Sequence, residues 1–248
     1  MNDQAAAKRW WAQAILIGGV IAAVCLPLGA LGTKLGLWPF TGGFMLLAAG
    51  AVLATLASFL GVIAYIVSLR KKLIAERPTL LIGVFLGVVV LAILGSQYSA
   101  ASSVPPIHNI STDTENPPQF DKIVAIRSAA QANPLAYDTA ALAPQQTAAY
   151  PWVKPLTLMA PVDEVVDRAE AVLRGMGMEI VSVNKTTGLV EATATTFWFG
   201  FKDDVAVRAQ PAADGGTRVD VRSISRVGQS DLGANAARIG EILNGIGG

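Results

Sequence analysis

The chain has 248 residues, 52% of them hydrophobic and 15% charged, with a formal net charge of +1. A soluble domain carries about 25% charged residues, so this composition excludes a disordered chain and argues against one large soluble domain. The near-zero charge gives no global attraction to nucleic acid; the single cysteine, Cys25, excludes an intrachain disulfide framework or a Cys-cluster metal site, and the single histidine, His108, excludes a multi-histidine site within one chain.

The averages hide a split. Residues 1–104 hold seven basic and two acidic side chains, a net of +5, whereas residues 105–248 hold twelve and sixteen, a net of −4. About 20 apolar residues cross the roughly 30 Å of bilayer hydrocarbon. No charge lies between Arg9 and Lys34, which predicts a first span over about 10–31, with Pro27 placed to kink it. A signal peptide is the rival reading, but the apolar run is too long and further spans follow. Residues 35–69 are also uncharged; Pro39, Gly42 and Gly43 break this stretch early, so the second span is predicted over 43–69. The third is predicted over 79–98, just after Pro78. Trp10, Trp11, Trp38, Phe40, Tyr65 and Tyr98 lie mostly near the predicted ends, where aromatic belts form.

Lys8 and Arg9 precede the first span, Arg70, Lys71, Lys72 and Arg77 lie between the second and third, and only Lys34 lies between the first and second. Basic residues favour the cytoplasmic side. The chain is therefore expected in the inner (plasma) membrane with its N-terminus in the cytoplasm and its C-terminal part exoplasmic, or periplasmic in a Gram-negative cell. Gly83 and Gly87 form a GxxxG pair, and Gly50, Ala54 and Ser58 recur at fours. Such faces serve packing within a three-helix bundle or a homo-oligomer. No ionisable side chain falls inside a predicted span, which argues against a transporter or pump.

Residues 1–103 thus read as a three-span anchor and residues 104–150 as a proline-rich extended lead. The lead has two Pro pairs in 105–118 and an Ala- and Gln-rich meander over 119–150 with room for one short helix. So long a connection is expected to wrap the domain or the membrane surface. Residues 151–248 read as an α+β domain. A strand is predicted over 153–159, followed by an amphipathic helix that starts at Pro161 and ends at Gly175 and Gly177. Strands follow over 179–183, 189–196, 204–210 and 218–226, with turns at 185–188 and 214–216. Ser230 is placed to cap a last helix whose Leu232, Ala236, Ile239, Leu243 and Ile246 share a face. The β-α-β4-α order with an antiparallel sheet resembles TATA-binding-protein-like and helix-grip folds, an analogy that says little about activity.

Few residues invite chemistry. His108 lies near Ser111 and Asp113, but a triad is defined by geometry and no G-x-S-x-G elbow exists; hydrogen bonds that pin the loop are the simpler role. Phe197, Trp198, Phe199 and Phe201 surround Gly200, ahead of Lys202, Asp203 and Asp204. This hairpin is read first as core packing with some edge exposure, then as a patch on the membrane interface, then as the wall of a ligand groove. Asp203 with Asp204, and Asp220 with Asp231, are the candidates for paired-carboxylate chemistry. Arg218, Asp220, Arg222 and Arg226 share one strand face opposite Val219 and Val221; cross-strand pairing on a solvated face is expected, with an anionic-ligand surface as the alternative. No phosphate loop, HExxH or EF-hand pattern is present, so no cofactor is predicted.

The segments VPPIHNISTDTENPPQF, FWFGFKDDVAVR and RVDVRSISRVGQSDLGANAARI resemble the bacterial family catalogued as domain of unknown function 1499, over about residues 104–248. The resemblance implies a small domain exported or tethered by membrane spans, and no reaction. In that family the first motif more often has Asp after the His, where this chain has Asn109. The expected function is a multi-pass membrane protein displaying an exoplasmic, non-catalytic domain that binds a small or lipidic ligand or an envelope partner. The alternatives are a hydrolase-like enzyme using His108 and nearby carboxylates, and an assembly factor acting through its membrane helices.

Overall fold

A computed structural model describes residues 9–213 and 215–248. Asp3 and Lys8, counted above for charge and orientation, and Asp214 of the last predicted turn lie outside the described residues. The chain divides into two compact units, Met1–Ala100 with Phe197–Gly200, and Ala101–Thr196 with Phe201–Gly248.

The first unit is built on helices α1 (Trp10–Lys34), α2 (Phe40–Arg70) and α3 (Arg77–Ser102), with a 3-10 turn at Ile74–Glu76 before α3. All three are long and apolar enough to cross a membrane. Pro27 lies inside α1. The second helix starts three residues before the predicted span because Gly42 and Gly43 sit in its first turn. Gly43 permits close approach there: a Cβ would lie 2.6 Å from the Gly29 carbonyl of α1. Ala22, Ala54 and Val90 form the buried centre. A Cβ on Gly19 would lie 2.7 Å from the Gly83 carbonyl, and one on Gly87 would lie 2.7 Å from the Ala54 carbonyl. The small-residue spacing thus serves helix crossings inside the bundle. Large side chains such as Met45, Phe59 and Phe85 point outward. At the opposite end from Lys34, the buried Glu76 accepts the Arg9 backbone N–H at 3.1 Å.

The second unit contains β1 (Asn109–Ser111), α4 (Lys122–Ala129), α5 (Thr139–Ala149), β2 (Leu156–Leu158), α6 (Val162–Gly175), β3 (Glu179–Asn184), β4 (Leu189–Thr195), β5 (Lys202–Pro211), β6 (Thr217–Ser225) and α7 (Ala234–Gly247). The strand, helix, four strands, helix order holds from β2 onward. The sheet is antiparallel with order β1-β6-β5-β4-β3. Both β1 and β2 lie on the free edge of β6, opposite its residues 222–224 and 217–219.

On one face, Val165, Val166, Ala169 and Leu173 of α6 and Ala236, Ile239, Ile242 and Ile246 of α7 pack on Val190, Val205, Val207, Val219 and Val221. The stretch expected to be an extended lead is instead structured. It supplies one strand and two helices, and Phe120 and Ile123 pack with Ala206 and Ile224 on the other face. Period-based reading misses these elements for physical reasons. β1 has three residues, too few for alternation, and α4 buries one Ile and one Arg rather than an apolar stripe. At the last helix the expected cap also moves: the Asp231 carboxylate accepts from the backbone N–H groups of Gly233 (2.9 Å) and Asn235 (2.8 Å), while Ser230 Oγ accepts from Leu232 at 3.3 Å. Leu232 precedes the helix and is exposed rather than part of its inner face.

Candidate functional site

Most of the strand face carrying Arg218, Asp220, Arg222 and Arg226 is not solvated: Asp220 and Arg222 are buried and Arg226 is largely so, while Arg218, at the start of the strand, stays exposed. Strand alternation puts these residues with Glu191, Thr193 and Asp204 on the face that the 105–135 stretch covers. Asp204 is 0% exposed. Its carboxylate accepts from Arg226 Nε (2.9 Å) and Nη2 (2.7 Å), Arg127 Nη1 (2.8 Å) and Thr193 Oγ1 (2.8 Å). Burial alone would raise its pKa, but these donors outweigh burial and hold it below its ordinary value. Asp220, also buried, accepts from Arg208 (3.0 Å), Arg218 (3.1 Å from Nε) and Thr112 (3.2 Å). Asp113 receives Arg208 and Arg218 as well, and caps its own turn through the N–H groups of Glu115 and Asn116.

Two buried groups on this face are satisfied by hydrogen bonds, with no ion pair to either among the described residues. Glu191 accepts from the backbone N–H groups of Asp121 (2.7 Å), Lys122 (2.8 Å) and Ile123 (3.3 Å), and from Ser182 Oγ. A carboxylate on β4 thereby caps α4 from across the sheet, favoured by the positive end of the helix. Arg222, 1% exposed, donates to Asn109 Oδ1 (3.1 Å) and to the Pro118 and Leu135 carbonyls, and faces the Phe120 and Tyr137 rings. Burial, helped by the Arg127 charge, lowers its pKa to about 10, so it stays charged at neutral pH. Burial likewise pushes the Tyr137 phenol up to about 12, against the pull of Arg222.

On the helix-covered face, Asn235 links Ser223, Ser225 and the His108 carbonyl, and Arg238 joins Asp203 at 2.7 Å. Asp231 sits beside this network; burial raises its pKa, its backbone hydrogen bonds oppose the rise, and the Asp203 charge adds to it. The His108 ring faces the Gln229 carbonyl at 3.4 Å, and Ser111 Oγ donates to the Asp113 carbonyl. Among the described residues no hydrogen bond joins the His108 ring to Ser111 or Asp113, and no cluster of three His, Cys, Asp or Glu could hold a metal. Asp203 and Asp204 point to opposite faces of β5, so they do not form a carboxylate pair.

The aromatic segment is the turn between β4 and β5. Thr196 and Phe201 close it through Thr196 N–H to the Phe201 carbonyl (2.8 Å) and Phe201 N–H to Thr196 Oγ1 (2.9 Å). Gly200 takes φ +69°, a left-handed conformation suited to glycine. Lys202 opens β5 with an exposed side chain. The tip is the exposed part of the segment: Phe197 is 72% and Trp198 56% exposed. A separate cavity of about 380 Å³ opens between the C-terminal end of α6 and the start of α7, lined by Met176, Met178, Ala237, Thr195, Arg238 and Glu241 among others.

The sequence profile of a family described as protein of unknown function (DUF1499) matches residues 109–246. The chain belongs to this family. A search of the curated proteins finds no match. The DUF1499 motifs now have structural roles. The first contains β1 and the turn that holds Asp113 against Arg208 and Arg218. The second is the aromatic turn with Asp203 and Asp204. The third carries Asp220, Arg222, Arg226, Asp231 and Asn235. Of the predicted site residues, Asp204 and Arg226 meet directly, and Asp113 and Arg222 lie on the same covered face. Asp203, Asp231 and His108 gather around α7, and Phe197, Trp198 and Phe199 stand apart at the turn. Sequence reasoning missed Arg127, Glu191, Asn235 and Arg238 as network members and Met176, Met178 and Glu241 as cavity residues. Arg127 offered one signal, as a lone charge among Ile123, Ala125 and Ile126.

Proposed function

We propose that the protein spans the inner membrane three times and displays its DUF1499 domain on the exoplasmic side as a non-catalytic module that binds a small amphipathic or lipidic ligand, with an envelope protein as the other class of partner. The orientation rests on the six-to-one distribution of flanking basic residues. The proposal places the fold among TATA-binding-protein-like and helix-grip folds on its strand, helix, four strands, helix order. The observation that carries the binding reading is the cavity at the open end of the helix layer. It is an open groove of about 380 Å³, at the small end of the range of small-ligand sites. Its wall offers the adaptable thioethers of Met176 and Met178 beside the polar Thr195 and Glu241, while Arg238 is held by Asp203. A non-catalytic role is supported by the fate of the reactive-looking groups: Asp113, Asp203 and Asp204 are each engaged by arginines that fix one chain segment to another.

The test is thermal stabilisation of the full chain in nanodiscs by a panel of phospholipids, free fatty acids and envelope extract, compared with Ala237→Trp, which fills the cavity. Stabilisation of the native chain that Ala237→Trp abolishes is expected. No stabilisation by any of these, together with no partner in crosslinking of native membranes, overturns the reading.

A further inference from the structure

The turn Phe197–Gly200 belongs to the same compact unit as the three apolar helices. Lys34, the last residue of α1, donates Nζ to the Phe197 carbonyl at 2.8 Å and sits 4.8 Å from the centre of the Phe197 ring. Phe199 packs against Phe44, in the opening turns of α2, with ring centroids 5.4 Å apart. At Gly200 a Cβ would fall 3.0 Å from Lys34 Cγ, so the turn and the end of α1 fit closely. Phe197 and Trp198 nevertheless stay exposed, stacked edge to face at 5.2 Å. The exposed aromatic surface is therefore held where α1 ends and α2 begins, among Trp38, Phe40 and Phe44, the aromatics that bound the apolar helices at this end.

We infer that this turn is a membrane-interface anchor: Phe197 and Trp198 enter the boundary between headgroups and acyl chains, and the partner they fit is the bilayer surface. Aromatic rings with a polar edge partition to this depth, and a basic side chain beside them lies at the headgroup level. Lys34 does so here while holding the turn through its backbone. Continuity with the apolar helices favours lipid over a protein partner, because the patch starts where the lipid-compatible surface stops. Thr196 and Lys202 flank it with polar groups, which limits the inserted part to the tip. The inference rests on α1–α3 crossing the bilayer and is independent of any ligand in the α6–α7 cavity.

The test uses the full chain in phospholipid nanodiscs. Trp198 emission, taken as the difference between the native chain and Trp198→Phe, is quenched with lipids brominated near the top of the acyl chain and, separately, with aqueous iodide. At least several-fold stronger quenching by the brominated lipid is expected. Quenching mainly by iodide, or by neither, overturns the inference, since the tip then lies in water or under protein. A second measurement needs no change at Trp198. A spin label is placed at Phe197→Cys or, as a reference, at Thr186→Cys in the exposed β3–β4 turn, both with Cys25→Ala. Collisions with oxygen should exceed those with a water-soluble nickel chelate at 197 and fall below them at 186; equal ratios at the two positions overturn the inference. Ala237→Trp should leave both readouts unchanged, which separates failure here from failure of the ligand reading.

Discussion

Replacing Asp204 by Asn asks how far charge holds the 105–135 stretch on the sheet. The substitution nearly preserves shape but removes the one anion that Arg127 and Arg226 share, at 2.7–2.9 Å. Arg127 is 3% exposed, and the Arg226 side chain is 12% exposed, so both guanidiniums are largely withdrawn from water. Removing one partner of a buried ion pair costs about 3–5 kcal/mol. Set against the roughly 5–15 kcal/mol stability of a typical domain, that is a large share. At about 2–4 °C per kcal/mol for a domain of this size class, the melting temperature should fall by roughly 6–20 °C.

The readout is thermal proteolysis or hydrogen exchange of peptides from 105–248 in the full chain, so that the apolar helices do not mask the change. The pH dependence gives a second check. Folding lowers the Asp204 pKa from 3.8; the stabilisation is therefore complete above that value and is lost as pH falls through the lower folded value. The native and Asp204→Asn chains should converge in that acid range. A melting temperature within about 1 °C of native at pH 7, or a gap that persists unchanged at the lowest pH, would refute the reasoning.

Glu191→Ala leaves three backbone N–H groups at the start of α4 without their acceptor, and hydrogen bonds to a charged group contribute about 1.5–3 kcal/mol each at the upper end of such interactions. A loss of about 2–4 kcal/mol is expected, with hydrogen exchange accelerating first over residues 121–129; even loss across the whole sheet would argue that the cap is not the point of failure. Asn109→Asp places a carboxylate where Asn109 Oδ1 now lies, 3.1 Å from Arg222 Nε, and gives up the bond from Asn109 Nδ2 to the Ala136 carbonyl at 3.3 Å. The charge-assisted bond is the stronger of the two, so stability should rise by about 1 kcal/mol at neutral pH, and the gain should vanish as pH falls through the carboxylate range. Destabilisation at pH 7 would show that carbonyls and aromatic rings already satisfy Arg222.

How much of this was legible follows from which physical rule each element obeys locally. A bilayer demands an uncharged run of about 20 residues, so α1, α2 and α3 stand out from composition. The strands β3 to β6 and helices α6 and α7 show their own periods because each packs one apolar face. β1 carries no local signal, since its three residues are fixed by pairing with residues 222–224 over a hundred positions away. Alternation correctly put Arg218, Asp220, Arg222 and Arg226 on one face, but it cannot say what covers that face. The cover, α4 and its flanks, is held by Glu191 and Asp204, whose partners there lie 68–77 positions away in sequence. The cap at α7 shows the limit within a single turn: Ser230 and Asp231 are both good capping residues, and the backbone path decides between them.

The covered charges suggest why such a costly layer exists. A buried ion pair adds little net stability compared with apolar packing, and its best-supported use is to fix register. In β6 the core side shows Val219 and Val221 to α6 and α7, while the other side shows Asp220 and Arg222 to the 105–135 stretch. A slip of one residue would drive Asp220 and Arg222 into the apolar layer and lift the valines onto the charged one. The edge of β6 must also receive two separate short strands, β1 and β2, neither long enough to set its own register. Arg222 reaches β1 directly through Asn109, and Asp220 reaches the adjoining turn through Thr112. The charges thus specify where the N-terminal stretch lies along the sheet. Ionic groups that fix register cannot also recognise a ligand without loosening the fold, which supports placing the proposed ligand and bilayer contacts away from them, at the α6–α7 cavity and the exposed aromatic turn.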